Sequence, residues 1–285
     1  MTQDLWTVKR IVDWGKNYLT EKGIDSPRLT MELLLCDVLK LKRIDLYMNH
    51  EKPLNNIELK KLREFILRRA DREPLQYIVG YTEFFGNTIN VNPSVLIPRP
   101  ETELLVKIAS DFAKKQEGDK HTALDIGTGS GCIILSFAKL LPEWSCTAID
   151  NSEEALTVAK QNAKKLAVKN VHFHNADIFV TPPRRKYTVV MSNPPYIGTT
   201  DMDALEPEVG KYEPKSSLTD GEDGLKYYKH FAEIFPQIIA KGGAFFMEIG
   251  YGQADSVRNM FRQKNININI ENDYSGIPRI AWSTI

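Results

Sequence analysis

An Asn-Pro-Pro-Tyr run at residues 193–196 is the part of this 285-residue chain best equipped for chemistry. Two consecutive prolines remove two N–H donors and fix two φ angles, leaving a stiff corner with uncommitted carbonyls. The side-chain carbonyl of Asn193 and the backbone carbonyl of Pro194 can then accept both hydrogens of an NH2 group, with the Tyr196 ring stacked on a flat partner. Amide and aryl amine nitrogens are poor nucleophiles because their lone pair is delocalised. Two acceptors on the hydrogens turn that lone pair toward an electrophile, and the same oxygens stabilise charge developing on nitrogen. Asn193, Pro194 and Tyr196 are therefore candidate catalytic residues, and Asn193, Pro194, Pro195 and Tyr196 a candidate substrate-binding loop. The competing interpretation is a plain strand-ending turn.

A second run, Asp125-Ile126-Gly127-Thr128-Gly129-Ser130-Gly131, precedes an apolar helical stretch. Its glycines permit a tight turn and close approach of a ligand to bare backbone. Free N–H groups at the following helix start favour an anionic ligand group. Asp150, 23 residues beyond Gly127, is placed to accept both hydroxyls of a ribose. Asp177 could take the exocyclic amine of adenine, while Ile178 packs on the ring or offers its backbone N–H. Individually, Asp150 and Asp177 could equally be helix caps. A dehydrogenase would carry its third glycine one position later, where Cys132 stands. The G-x-G-x-G spacing favours S-adenosylmethionine, whose carboxylate and amine need this turn but which has no pyrophosphate. The expected cofactor residues are Gly127, Thr128, Gly129, Ser130, Gly131, Asp150, Asp177, Ile178 and Asn193.

These residues need a scaffold that brings them to one edge. From residue 122 onward, strand-like runs (122–127, 145–150, 171–177, 187–193, 244–249, 266–271 and 279–285) alternate with helical patterns at 132–141, 152–166, 224–239 and 253–263. Such alternation predicts βαβ units and a parallel sheet covered on both faces, with ligands at the carboxyl ends of strands near the topological switch point. The first 80 residues differ. Leu33, Leu34, Val38 and Leu41 form one helical stripe, and Ile57, Leu62, Phe65, Ile66 and Arg69 another. Asp25-Ser26-Pro27 reads as a helix start, and Asn55 as a cap. Glu83–Val91 reads as two short strands around a Gly86-Asn87 turn, and Pro93, Pro98 and Pro100 stiffen the connection beyond it. The expected organisation is α/β: a helical domain over 1–82, a hairpin and Pro-rich linker over 83–97, and a Rossmann-like domain over 98–285.

Composition narrows the partners. Apolar content of 42% suits a globular core, and the net charge is zero. Residues 1–80 hold 15 Lys and Arg against 12 Asp and Glu, too small an excess for binding nucleic acid by bulk charge. Cys36, Cys132 and Cys146 are widely spaced and show neither a disulfide framework nor a metal pattern. Met1–Arg10 lacks the apolar core of a signal peptide, and no run approaches the ~20 residues that span a bilayer. A soluble cytoplasmic protein without a metal or a membrane partner is expected.

The motifs together resemble the protein-(glutamine-N5) methyltransferases of peptide chain release factors, the PrmC/HemK family. The likeness rests on Val95–Glu103, Asp125–Gly131, Asn193–Ile197, Tyr212-Glu213-Pro214, Asp220–Leu225, Glu248-Ile249-Gly250 and the tail from Asp273 to Arg279. It covers most of residues 75–285 and takes in a small helical N-terminal domain; Ile178 stands where some relatives carry an aromatic residue. The resemblance implies methylation of the glutamine in a Gly-Gly-Gln motif of a bacterial-type release factor, with S-adenosylhomocysteine as product. It implies that Asn193–Tyr196 holds the glutamine amide, and that the glycine turn, Asp150, Asp177–Ile178 and Asn193 hold the cofactor. It further implies a seven-stranded methyltransferase sheet with one antiparallel strand near the edge, and a helical domain that helps dock the release factor. The alternative is an amino-methyltransferase acting on adenine N6 or cytosine N4, since the same loop suits any conjugated NH2. That enzyme needs a basic tract or a target-recognition region and must expose the base; no direct nucleic-acid contact is required for the first reading.

Several other residues draw the eye. Arg99, Glu101 and Glu103 are expected at a helix start, where the two acids complement its dipole without any catalytic role; the resemblance implies that this loop closes over the cofactor. Cys132 is expected to be a small core residue, and His172 and His174 surface or edge residues. Glu206, Glu208 and Glu213 read as a solvated acidic run whose place after the motif also fits a lid or substrate contact.

Overall fold

The computed structural model describes residues 5–118 and 120–285, so the first four residues of the Met1–Arg10 stretch lie outside the described residues. Among the described residues no helix is long and apolar enough to cross a membrane. The chain forms two compact units. One contains the residues up to Gly80 together with Glu206–Tyr212; the other contains Tyr81–Leu205 and Glu213–Ile285. This division differs from the expected 1–82, 83–97 and 98–285 in two ways: the hairpin falls in the second unit, and a short segment of the C-terminal part joins the first.

The first unit is built from α1 (Val8–Glu21), α2 (Pro27–Leu39), α3 (Arg43–Met48), α4 (Asn56–Ala70) and α5 (Leu75–Val79). Helix α1 buries Val8, Ile11, Val12, Gly15 and Leu19, a single stripe at helical spacing. Gly15 lets α2 approach closely, because a Cβ there would lie 2.5 Å from the Met31 sulfur. Asn55 caps α4 through Ile57 N and Glu58 N, and Glu58 returns the bond to Asn55 N. The α4 stripe departs from expectation at one end: Ile57 points to solvent, while Leu62, Phe65, Ile66 and Arg69 are buried. Ser26 precedes α2 as expected but sits in the left-handed region and makes no side-chain cap bond. Charge explains why Glu206–Tyr212 belongs here. Glu208 pairs with Arg69 and Arg72 at 2.9 Å each, and Asp71 receives Lys211 Nζ and the Tyr212 hydroxyl.

The second unit opens with a hairpin, β1 (Tyr81–Phe84) and β2 (Asn87–Asn90). Its turn is Phe85-Gly86, one residue earlier than the sequence suggested, and both residues have positive φ as this two-residue turn demands. Asn87 is drawn into the strand because its side chain is buried, donating to Phe85 O and accepting from Lys139 Nζ. The remaining elements are α6 (Thr102–Ala113), β3 (Thr122–Ile126), α7 (Cys132–Leu140), β4 (Ser145–Asp150), α8 (Glu153–Lys165), β5 (Val171–Asn175) and β6 (Tyr187–Ser192). A 3-10 turn (Thr199–Ala204), α9 (Pro207–Tyr212, in the first unit) and α10 (Lys215–Leu218) come next. The chain closes with α11 (Lys226–Ile238), β7 (Ile239–Glu248), α12 (Ala254–Arg262), β8 (Asn269–Asn272) and β9 (Pro278–Thr284).

Seven strands form one sheet in the order β5-β4-β3-β6-β7-β9-β8. β9 runs antiparallel to both its neighbours, and the pairs from β5 to β7 are parallel. This is the Rossmann-like order with one antiparallel strand beside the edge. Helices α11 and α12 bury Phe231, Phe235 and Phe261 against Phe245 of β7 and its neighbours. Residues of α6 pack the opposite face, where Phe112 meets Phe246. Apolar burial of this kind contributes roughly 25 cal/mol per Å2, and it fixes which strand ends come together. Chain order reverses between β3 and β6, whose final residues Ile126 and Ser192 are paired. The Ser192 hydroxyl also donates to Ile126 O at 2.9 Å. The two sequence motifs therefore leave the sheet side by side, at the switch point.

Candidate active site

Above the ends of β3, β4 and β6 lies a cavity of about 280 Å3, walled by the glycine turn, Asp150, Asp177–Ile178, Asn193–Pro195 and Tyr227. Ser94, Val95, Leu96, Pro98 and Arg99, with Pro214, Ser216 and Ser217, contribute further wall. Gly127, Gly129 and Gly131 all have positive φ. A Cβ at Gly127 or Gly129 would meet nothing, so conformation alone requires glycine there. At Gly131 a Cβ would press on Leu135 and Ala159, so packing of α7 on α8 also requires it.

The turn uses most of its own N–H groups. Gly127 N and Thr128 N share Ile149 O, Gly131 N reaches Thr128 O, and Gly129 N donates to Asp150 Oδ2 at 2.8 Å. Of the five turn residues only Ser130 N has no partner among the described residues. Asp150 also accepts from Ser152 N through Oδ1; burial raises its pKa against these two bonds. Beneath the turn, Asp125 is fully buried. The Thr128 hydroxyl donates to its Oδ2 at 2.7 Å, while Oδ1 has no partner, nor does the Ser130 hydroxyl. Burial pushes the Asp125 carboxyl up to about 7.

Strand β5 ends at Asn175, so Asp177 lies in the turn beyond it, where its Oδ1 accepts from Phe179 N. Ile178 is largely buried, its carbonyl 3.0 Å from His230 Nε2, and it lines the cavity near Tyr227. Tyr227 is a wall residue that sequence reasoning had no cause to choose. Its only local signal is the preceding Asp220–Leu225 run, in which Asp220 accepts from Glu222 N, Gly224 N and Lys226 N and so starts α11 at this point.

The Asn193–Tyr196 loop is held from several sides. Gln253 Nε2 donates to Tyr196 O at 2.9 Å, and Ile197 N donates to Leu218 O. Gly224 passes so close that a Cβ there would collide with the Tyr196 carbonyl. Pro194 is buried, yet its carbonyl accepts nothing among the described residues. Asn193 Nδ2 donates to Thr102 Oγ1 at 3.2 Å, and no donor among the described residues reaches its Oδ1. Tyr196 is half-buried and is not part of the cavity wall. Its hydroxyl donates to Glu248 Oε1 at 3.2 Å and its ring packs on the aromatic core. The structure thus brings together the glycine turn, Asp150, Asp177, Ile178 and Asn193–Pro195, and sets Tyr196 behind them.

The acidic run after the motif is not a solvated surface, although Glu206 is exposed. Glu213 is buried, accepting from Ile97 N at 3.1 Å and from Arg99 Nη2 at 2.5 Å, and this clamps the 94–99 segment as a wall of the cavity. Glu208 is the ion-paired residue of the first unit. Glu103 is likewise occupied, accepting from Phe85 N rather than merely facing a helix dipole. Cys132 is a buried core thiol, pushed up to about 12 by burial, and His172 and His174 are exposed on edge strand β5.

Known proteins match both parts of the chain. The family described as PrmC N-terminal domain matches residues 10–80, and that described as Methyltransferase domain matches residues 117–249. A release factor glutamine methyltransferase of Geobacter sulfurreducens is 39% identical over 283 residues, covering 99% of this chain and 98% of that protein. One of Koribacter versatilis is 38% identical over 276 residues, covering 96% and 97%. Among solved structures, the hMettl16 catalytic domain in complex with a MAT2A 3′UTR hairpin superposes with a TM-score of 0.55 at 14% identity, covering 80% of this chain and 81% of that one, a likeness of fold. The chain is a methyltransferase and belongs to the release factor glutamine methyltransferase family.

Proposed function

We propose that this chain transfers a methyl group from S-adenosylmethionine to the side-chain amide nitrogen (N5) of the glutamine in the Gly-Gly-Gln motif of peptide chain release factors. The observation that carries the proposal is the pair of unpartnered acceptors, Asn193 Oδ1 and Pro194 O, on a rigid loop beside the glycine-turn cavity.

The residues present fit the cofactor. Asp150 retains acceptor capacity for ribose hydroxyls beside its two backbone bonds. The unpartnered Ser130 hydroxyl gives polar capacity at the cavity wall, and Ile178 offers an apolar wall and the Tyr227 ring a flat one for an adenine, with Asp177 beside them. Gly127 and Gly129 supply backbone that a ligand approaches without side-chain obstruction, Thr128 and Ser130 stand beside them in the cavity wall, and Gly131 closes the turn against the next helix. When bound, S-adenosylmethionine supplies an electrophilic methyl on a positively charged sulfur. Asn193 Oδ1 and Pro194 O would each accept one N–H of the glutamine amide, so that its lone pair faces that methyl and the charge developing on nitrogen meets two carbonyl dipoles. Because both oxygens are fixed in place before the substrate arrives, little reorganisation is needed; well-aligned reactions gain up to about 7–11 kcal/mol from positioning. Nitrogen becomes acidic only as it is methylated, so no strong base is needed before attack.

The test is transfer of labelled methyl from S-adenosylmethionine to purified release factor, with tRNA, rRNA and DNA in parallel. Label on the glutamine of the release factor is the expected result. Label on nucleic acid, with none on the release factor, overturns the substrate assignment.

A further inference from the structure

An asparagine side chain fills the same space with its oxygen and nitrogen exchanged, so its shape alone does not decide which atom faces the cavity. For Asn193 the choice matters, because a nitrogen there would oppose the hydrogens of the incoming amide with its own. A chain of hydrogen bonds makes the choice. Glu248, at the end of β7, is buried, and its Oε2 receives the Thr102 hydroxyl at 2.6 Å. A hydroxyl has one proton. Having given it to the carboxylate, Thr102 can only accept from Asn193, so the Asn193 NH2 must face Thr102 and the oxygen must face away. The other carboxylate oxygen, Oε1, receives the Tyr196 hydroxyl at 3.2 Å. One buried group thus sets both ends of the 193–196 loop.

We propose that Glu248 is the positioning residue of the acceptor site, acting through the Thr102 hydroxyl to aim Asn193 Oδ1 at the substrate amide and through the Tyr196 hydroxyl to hold the far end of the loop. The inference rests on the amide-binding role given above to Asn193. Burial pushes the Glu248 carboxyl up; the Thr102 hydroxyl that donates to it, the charge of Arg279 on neighbouring β9 and the Tyr196 hydroxyl oppose that shift. Thr102 contributes no chemistry; it is the first residue of α6, and the placement of that helix brings its hydroxyl between a strand end and a loop 91 residues away.

Three variants test the relay. Thr102→Val keeps the shape and removes the hydroxyl, Glu248→Gln keeps the shape and replaces one acceptor by a donor, and Thr102→Ser keeps the hydroxyl. Methylation of release factor at saturating cofactor should fall about 100-fold in kcat for the first two and stay within about 3-fold of wild type for Thr102→Ser. Cofactor affinity by calorimetry should stay within about 3-fold for all three, a split that a merely structural role would not produce. A substrate-free readout is solvent exchange of the Asn193 side-chain NH2, followed by NMR with the signal assigned from its absence in Asn193→Asp. Exchange should quicken in Thr102→Val and in Glu248→Gln but not in Thr102→Ser. Unchanged exchange in both, or turnover of Thr102→Val within a few-fold of wild type, overturns the relay, as does a loss of cofactor affinity that matches the loss of turnover. A wild-type protein that labels no release factor while these protons remain shielded overturns the substrate and not the relay.

Discussion

The two halves of the site are built in opposite ways. The glycine-turn half is local: Gly127, Thr128, Gly129 and Gly131 satisfy their N–H groups through Ile149, Thr128 and Asp150, residues of the same turn or of the adjacent strand. The Asn193 half is remote. Asn193 is oriented from Thr102, Thr102 from Glu248, and the cavity wall at 94–99 is held by Glu213. A local half forms wherever its backbone folds, whereas a remote half exists only when the whole sheet and α6 are in register. Substitutions in the first should therefore change ligand affinity, and those in the second should change turnover or stability.

Asn193→Ala makes the sharpest cut between them. It removes one of the two proposed acceptors, and kcat should fall by about 100- to 1,000-fold, the scale of a lost transition-state hydrogen bond, while circular dichroism shows an unchanged fold. Activity within a few-fold of wild type would falsify the clamp. Asp150→Ala belongs to the other half. It removes a charged acceptor, and S-adenosylmethionine affinity by calorimetry should weaken about 10–100-fold; an unchanged affinity would erase the distinction between the halves.

Two further variants report on stability. Glu213→Ala leaves Ile97 N and Arg99 without their partner, and the denaturation midpoint should reveal a loss of about 1–3 kcal/mol; no loss would mean that the 94–99 wall is held by something other than this carboxylate. The last variant concerns Asp125, whose folded pKa of about 7 lies above the value of about 4 for an exposed aspartate. Between these values the folded chain binds the proton more tightly than the unfolded chain, so this residue lowers stability as pH rises through that window and adds no further slope above it. Asp125→Asn removes the effect. The melting temperature of the variant relative to wild type should therefore be more favourable at about pH 8 than at about pH 5, by at least about 2 °C. An equal difference at both pH values would show that burial does not govern this carboxyl.

The legible parts of the fold were those whose signal repeats along the chain. Alternating strands and helices after residue 122 pointed to the sheet, and the positions of Gly127–Gly131, Asp150 and Asn193 after successive strands placed them at one edge. Errors arose where a side chain found a distant partner. Asn87 left the turn for a bond from Lys139, and Glu213 left the solvent for Arg99 and Ile97. Glu208 drew 206–212 into the helical unit through Arg69 and Arg72. Charge and turn propensity at one position carry no information about which opposite charge the fold brings to it. Tyr227 was missed for the same reason, since an aromatic residue opening an amphipathic helix looks like any other core residue until the cavity beside it is seen.

Sequence by itself determined the classes of group available: a turn that only glycine permits, a carboxylate one strand further on, and a proline-stiffened corner with spare carbonyls. These are properties of covalent geometry and backbone sterics, which act within a few residues. Only the tertiary structure decided which way the Asn193 amide faces, that Tyr196 reaches back to Glu248, and that Thr102 stands between them. Hydrogen bonds are directional and short, so their outcome waits until packing has brought residues 102, 193, 196 and 248 within about 3 Å of one another's polar atoms.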